Sequence, residues 1–241
     1  PLNIIMKYGH YSDNEIPAQD NPGYSVNSSG YRCPEWRPLP DGKKNTVILG
    51  CSHTFGEGLD DGDVWVDQLY TLVDQRSLRF WNLGCPGASA DKIIRILYAT
   101  EKVLFPKIII ICWPECSRRE RLDRTPVNLT SNNALLKTET DHTDQHNFLK
   151  NVFFAEKFAE QQGAKIFHCF AQNVYEIPNA TAYSETSLRS CWPEWDKHHL
   201  PNAKREQIST PSLAKDGIHY GVEHHQVFAE KFYNKFKSKL K

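Results

Sequence analysis

The stretch Val47–Gly58, VILGCSHTFGEG, runs from apolar residues straight into a serine with glycines on both sides. Val47–Leu49 read as a short buried strand closed by Gly50, which puts Ser52 just beyond the strand's carboxyl end. Gly, Ser and Thr favour turns for reasons unrelated to catalysis, so Ser52 taken alone reads as a turn residue. Partners elsewhere in the chain decide between a turn and a nucleophile.

Outward from this stretch, the same unit recurs. NTVILG (45–50) reads as a strand, and DVWVDQLYTLVDQR (63–76) spaces Trp65, Leu69, Leu72 and Val73 along one helical face. LRFWNLG (78–84) is a second strand, ASADKIIRILYATEKVL (88–104) a helix, and PKIIIICW (106–113) a fully buried strand. FLKNVFFAEKFAEQQG (148–163) is helical with Gly163 as its stop, AKIFHCF (164–170) is a strand, and Phe228, Phe232 and Phe236 line a last amphipathic helix. Strands alternating with helices predict an α/β fold, a three-layer α/β/α sandwich around a central parallel sheet. In such sheets ligands bind beyond the carboxyl ends of the strands, where Ser52, Gly87 and the Trp113 region fall. Residues 1–44, rich in Pro, Gly, Asn, Ser and Tyr, are expected to form an irregular segment packed on one domain spanning 45–241. The polar stretches from Glu115 to about Asn147 and from Gln172 to Ser212 are expected to be walls or lids of the site.

The 241 residues can bury a core without metals or disulfides. Lys and Arg number 29, as do Asp and Glu, so global charge does not favour nucleic acid as a partner. Seven scattered cysteines, several inside apolar runs, read as reduced thiols in a reducing compartment. Neither a signal peptide nor an apolar run long enough to span a bilayer is visible, which predicts a cytoplasmic protein with no membrane partner. Neither a cofactor nor a metal is assigned. Cys112 and Cys116 have no second pair at a zinc spacing, and His142 and His146 in DHTDQH would share a face only if that stretch were helical. The oligomeric state is open.

A serine hydroxyl needs a histidine to take its proton and a carboxylate to orient that histidine. KDGIHYG (215–221) holds Asp216 three residues before His219, close enough in a tight loop for the carboxylate to reach Nδ1 and leave Nε2 for a serine. Standing alone, Asp216 in an Asp-Gly turn and a single histidine among ten would mean little. NLGCPGAS (82–89) supplies a glycine-containing turn before a helix, whose backbone N–H groups can hold an oxyanion. Gly87 is the candidate donor beside the N–H of Ser52, with Gly84 the other choice. His53 is read as a structural neighbour pointing away from Ser52.

ILGCSHTFGEG, NLGCPGAS and DGIHYG, in that order, resemble the blocks of the SGNH hydrolase superfamily, the GDSL-like esterases and lipases. NSSGYR (27–32) resembles the lead-in segment of some bacterial and phage members. The resemblance implies a flavodoxin-like sandwich, Ser52 as nucleophile, His219 as general base and then acid, Asp216 as its orienter, and Ser52 and Gly87 as oxyanion donors. Gly87 stands five residues after Asn82 and two before Ser89, as the family's oxyanion glycine does. Two departures are visible. Cys51 stands where the family has aspartate, a change expected to touch loop structure rather than chemistry. The third block, Gly-x-Asn-Asp, is replaced by WPECSRRE after the strand IIIIC, so its asparagine donor is missing. Trp113 through its indole N–H and Arg118 through its guanidinium are candidate replacements, and with Glu115 form the candidate substrate-binding set. The function implied is hydrolysis of a short-chain acyl ester, above all O-acetyl on a carbohydrate, with Tyr175, Tyr183, Trp192 and Trp195 as a stacking wall or as core. A glycan-binding or structural module with little turnover, and an acyltransferase using the same triad, stay open.

Overall fold

The computed structural model describes residues 23–35, 42–120, 126–128, 141–172, 175, 177, 182–188, 191 and 213–240. In chain order its elements are β1 (Lys44–Gly50), α1 (Ser52–Phe55), α2 (Trp65–Leu72), β2 (Leu78–Gly84), α3 (Ala90–Thr100), β3 (Ile108–Trp113), β4 (Arg118–Glu120), β5 (Pro126–Asn128), α4 (Asp141–Gln162), β6 (Lys165–Phe170), β7 (Tyr183–Ser187) and α5 (Val222–Phe236). Five parallel strands form the central sheet in the order β2-β1-β3-β6-β7, and β4 and β5 make a separate antiparallel pair. Leaving that hairpin aside, this is the flavodoxin-like order, in which the chain departs to opposite sides of β1 and opens a crevice at the carboxyl ends of β1 and β3.

All six residues of β3 are buried, as a strand covered on both faces requires. Alternation along β6 sends Phe167 to one face and Phe170 to the other. Phe167 meets Phe232 and Phe236 of α5, and Trp65 of α2 packs edge-on against Phe228 at 5.2 Å between ring centroids. On the opposite face Trp113 and Phe170 pack on Phe148 of α4, and Tyr98 of α3 packs on Phe158. The molecule is thus an α/β/α sandwich, α2 and α5 on one side, α3 and α4 on the other.

Three features differ from the sequence expectation, the first two through polar contacts that hydrophobic periodicity does not register. α4 begins at Asp141, ahead of the expected Phe148, because its polar first turns are tied down from outside: Arg119 pairs with Asp144 at 2.7 Å, and Asn147 and Asn151 donate to Asp91. α2 stops at Leu72, and the chain then turns on Asp74, which accepts from Arg76 N–H and the Ser77 hydroxyl. YSETS (183–187), which falls in a stretch that reads as polar loop, is the edge strand β7.

The lead-in segment is fastened to the chain that leaves α1. Asn27 accepts from the N–H groups of Ser29 and Tyr31, closing a turn that aims Arg32 inward. The buried Arg32 guanidinium donates to the carbonyls of Gly56 (2.7 Å) and Leu59 (3.0 Å), pairs with Asp61 (2.9 Å), and lies over the Tyr24 ring. Arg32→Ala removes the buried guanidinium from the Leu59 and Gly56 carbonyls, of which Gly56 keeps the Leu59 N–H, and breaks the pair with Asp61, and should lower the unfolding free energy by about 3 kcal/mol. Urea unfolding checks this, and a loss below about 1 kcal/mol would mean the segment does not anchor that loop.

Candidate active site

The glycines seen in the sequence explain how Ser52 is held. A side chain at Gly84 would lie 2.2 Å from the Phe55 backbone nitrogen, and one at Gly50 2.1 Å from Thr54 Oγ1, so glycine at both places lets α1 sit directly on the strand ends. Asn82 seals the contact: its Nδ2 donates to Thr54 C=O at 2.9 Å and its Oδ1 accepts the Gly84 N–H at 2.9 Å. In the sequence Asn82 is no more than a spacing marker, and its role as the brace of α1 emerges only from the fold. Ser52 opens α1 and is 5% exposed. Cys51 is the N-cap residue but makes no side-chain cap bond, so the cysteine in place of aspartate leaves α1 uncapped by its side chain.

The Asp216–His219 loop is braced from within and from α1. Leu213 and Tyr220 form an isolated bridge, and Ala214 N–H donates to His219 C=O. Asp216 Oδ1 accepts from the N–H groups of Ile218 and His219, while Oδ2 lies 2.5 Å from His219 Nδ1. Burial alone would push the Asp216 carboxyl up, but these N–H groups and the His219 ring outweigh it and hold the group below the usual carboxylate range. Lys215 N–H donates to Gly58 C=O, and a side chain at Gly58 would meet Ala214 at 2.8 Å. The His53 ring packs edge-on against His219 at 5.2 Å and stacks on Tyr220 at 4.6 Å. His53 therefore turns toward the Asp216–His219 loop, and the imidazole of His219 lies beside the residue that follows Ser52.

Glu57 is the group sequence reasoning missed. Its N–H donates to Ser52 C=O at 3.1 Å, and its Oε2 lies 3.6 Å from His219 Nε2. Burial raises the Glu57 carboxyl, with His219 acting the other way. No hydrogen bond joins Ser52 to His219 among the described residues; Nε2 faces Glu57 instead. The spacing S-x-x-x-x-E is present in the sequence, but nothing marks the glutamate until the loop brings it to the imidazole.

Gly87 has φ +68 in the turn before α3, a conformation that favours glycine. Around it, Cys85 N–H donates to Gly50 C=O, Ala88 N–H to Cys85 C=O, and the Ser89 hydroxyl caps α3 by accepting Lys92 N–H. The N–H groups of Ser52 and Gly87 donate to no acceptor among the described residues. Both stand past strands that are in register, Gly50 opposite Gly84.

Of the candidate substrate-binding residues, Trp113 is not available. It is fully buried, its indole N–H donates to His168 Nδ1 at 3.0 Å, and the two rings stack. Glu115 accepts the Tyr175 hydroxyl at 2.6 Å, and Tyr175 packs on Phe148 and Phe170. Arg118 is half-buried at the start of β4. Trp192, Trp195 and the Tyr183 side chain lie outside the described residues. His142 and His146 do share a helical turn, with ring centroids 5.4 Å apart, but no group of three or more metal-binding side chains occurs among the described residues. A cavity of about 420 Å³ lies elsewhere, lined by Ser25, Arg32, Glu35, Asp61 and Asp67 among others, and none of the catalytic candidates reaches it.

No model of a known protein family matches the sequence, and no curated protein does. Solved structures do match in fold. The Bacillus subtilis protein YXIM superposes with a TM-score of 0.50 at 11% identity, over 82% of this chain and 57% of that one. A lipase/acylhydrolase from Enterococcus faecalis gives 0.48 at 16% identity over 82% and 97%, and a Clostridium thermocellum family 3 carbohydrate esterase 0.48 at 14% over 82% and 97%. At these identities the likeness is one of fold, the α/β sandwich that the strand order already defines. Among the described residues no helix is long and apolar enough to cross a membrane.

Behind the site lie histidines kept neutral by burial. Desolvation, then His219 and Arg118, lowers His53 to about 3, and desolvation lowers His225, whose Nδ1 accepts Trp65 N–H, well below its ordinary value. In the unfolded chain both imidazoles take up a proton near pH 6.5, whereas the folded chain refuses it. Stability should therefore fall as pH drops below 6.5, by up to about 1.4 kcal/mol per pH unit for each. Urea unfolding between pH 7 and 5 should show a slope that is shallower by about one proton in His53→Phe; identical slopes would contradict a neutral, buried His53.

Proposed function

We propose that the chain is a carboxylic ester hydrolase of the SGNH type, acting on a short-chain acyl ester through Ser52, His219 and Asp216. The observation that carries this reading is the 2.5 Å contact between Asp216 Oδ2 and His219 Nδ1, on a loop that packs against the element bearing Ser52. A carboxylate there fixes the imidazole tautomer with Nδ1 protonated and Nε2 basic. The Ser52 hydroxyl attacks the ester carbonyl carbon as Nε2 accepts its proton, which requires the imidazole to exchange Glu57 for Ser52. The N–H groups of Ser52 and Gly87 receive the oxyanion. Collapse breaks the bond to the alcohol, which leaves with the proton from His219, and water then releases the acyl group by the same steps.

The resemblance of the three blocks favours an acetyl group on a carbohydrate as substrate. The absent third-block asparagine favours slow turnover, and Trp113 cannot replace it because its N–H is already used. Loss of one oxyanion donor costs on the order of 100- to 1000-fold in turnover. A fold kept mainly for binding is the second reading that this observation supports.

Hydrolysis of 4-nitrophenyl acetate tests the assignment. Ser52→Ala and His219→Ala should each reduce kcat/KM by about 1000-fold or more, and Asp216→Asn by about 100-fold or more, with the double variant Ser52→Ala/His219→Ala no worse than either single one. Equal rates for wild type and Ser52→Ala would remove Ser52 from the chemistry.

A further inference from the structure

Arg118 is set apart from the other arginines around the site. Arg32 pairs with Asp61, Arg95 with Glu120 and Arg119 with Asp144, each within 2.9 Å. Arg118 is half-buried yet makes no ion pair and no side-chain hydrogen bond among the described residues. Its backbone is fixed, since Arg118 N–H donates to Glu115 C=O and Arg118 pairs with Asn128 across the hairpin. That hairpin is held to α3 by the Arg95–Glu120 pair and by Glu120 N–H on Asp91. Arg118 thus follows β3 at the carboxyl edge of the sheet, next to the end of β1, where Gly50 is in register with Cys112. Its charge is felt at Cys51 and at His53, the two neighbours of Ser52.

Among the described residues nothing pairs with that charge. His53 stays neutral and burial pushes the Cys51 thiol up, so neither supplies a counter-charge. The carboxylates near Ser52, Glu57 and Asp216, gather at His219. On the β3 side the Glu115 carboxylate accepts the Tyr175 hydroxyl, so among the described residues the Arg118 guanidinium is left without a carboxylate partner. A guanidinium without a carboxylate is a forked donor matched to carboxylate or phosphate oxygens.

Building on the reading of Ser52 as nucleophile, we propose that Arg118 binds an anionic group of the substrate, a carboxylate or phosphate borne near the scissile ester. The substrate class is then an acyl ester of an acidic molecule rather than of a neutral one. In that placement the anion lies on the β3 side, away from the Glu57 and Asp216 carboxylates at His219.

The probes are matched pairs: 4-acetoxybenzoate with its methyl ester carries the anion on the alcohol, monophenyl succinate with its methyl ester carries it on the acyl group, and 4-acetoxyphenyl phosphate replaces carboxylate by phosphate. The readout is the ratio of kcat/KM for the anionic over the neutral ester. In at least one pair that ratio should fall by about ten- to a hundredfold in Arg118→Gln, the range of one charge-assisted hydrogen bond, and by less in Arg118→Lys. If Arg118→Gln lowers anionic and neutral esters equally, the side chain serves the reacting oxygen or the fold and the proposal is overturned. Calorimetric binding to Ser52→Ala keeps the test independent of turnover. The anionic member of at least one pair should bind about tenfold or more tightly than its methyl ester, and Ser52→Ala/Arg118→Gln should lose that preference. Equal affinities in both backgrounds overturn the anion site even if hydrolysis is observed. A preference that persists without hydrolysis in wild type would retain the anion site and reject the esterase reading.

Discussion

Backbone meets backbone where β2 ends. Gly84 lies so close to the nitrogen of Phe55 that no side chain fits between them, and Asn82 ties the two sides together by accepting the Gly84 N–H and donating to the Thr54 carbonyl. This contact holds α1 down on the sheet edge, and everything at the site depends on it, because Ser52 is the first residue of α1 and the loop that leaves α1 carries Glu57 and Gly58. The packing of a few glycines thereby converts an ordinary strand-to-helix turn into a fixed platform.

From that platform the second half of the site is positioned in the same way. Gly58 lies against Ala214 and Asp216, and its carbonyl takes the Lys215 N–H, so two loops far apart in the chain form one rigid corner. Asp216 commits one carboxylate oxygen to its own loop's N–H groups and the other to His219. A carboxylate so occupied stays ionised and keeps the ring oriented. On the far side, Arg32 reaches in from the lead-in segment to hold the carbonyls of Gly56 and Leu59, which ties the N-terminal stretch to the stability of the same corner.

Much of this is legible in the sequence because it rests on local pattern. The buried strands IIIICW and NTVILG, the glycines at their ends and the spacing of Asp216 from His219 each carry a local physical signature. What escapes depends on partners distant in the chain. Asn82 looks like any strand asparagine until Thr54 is beside it. Glu57 is one acidic residue among many until His219 arrives, and the first turns of α4 look like loop because Arg119 and Asp91 hold their polar residues. Trp113 shows the converse error: an indole at a strand end looks available as a donor, yet His168 on the next strand takes its N–H.

Whether the corner is a working nucleophile site is read most directly by chemistry at Ser52 itself. Incubation with an ethyl fluorophosphonate followed by peptide mapping should find one phosphonyl group per chain, on Ser52, and His219→Ala should suppress it. A protein that remains unmodified, or that is labelled at another residue with Ser52 intact, would contradict the assignment of Ser52, His219 and Asp216 as one catalytic unit.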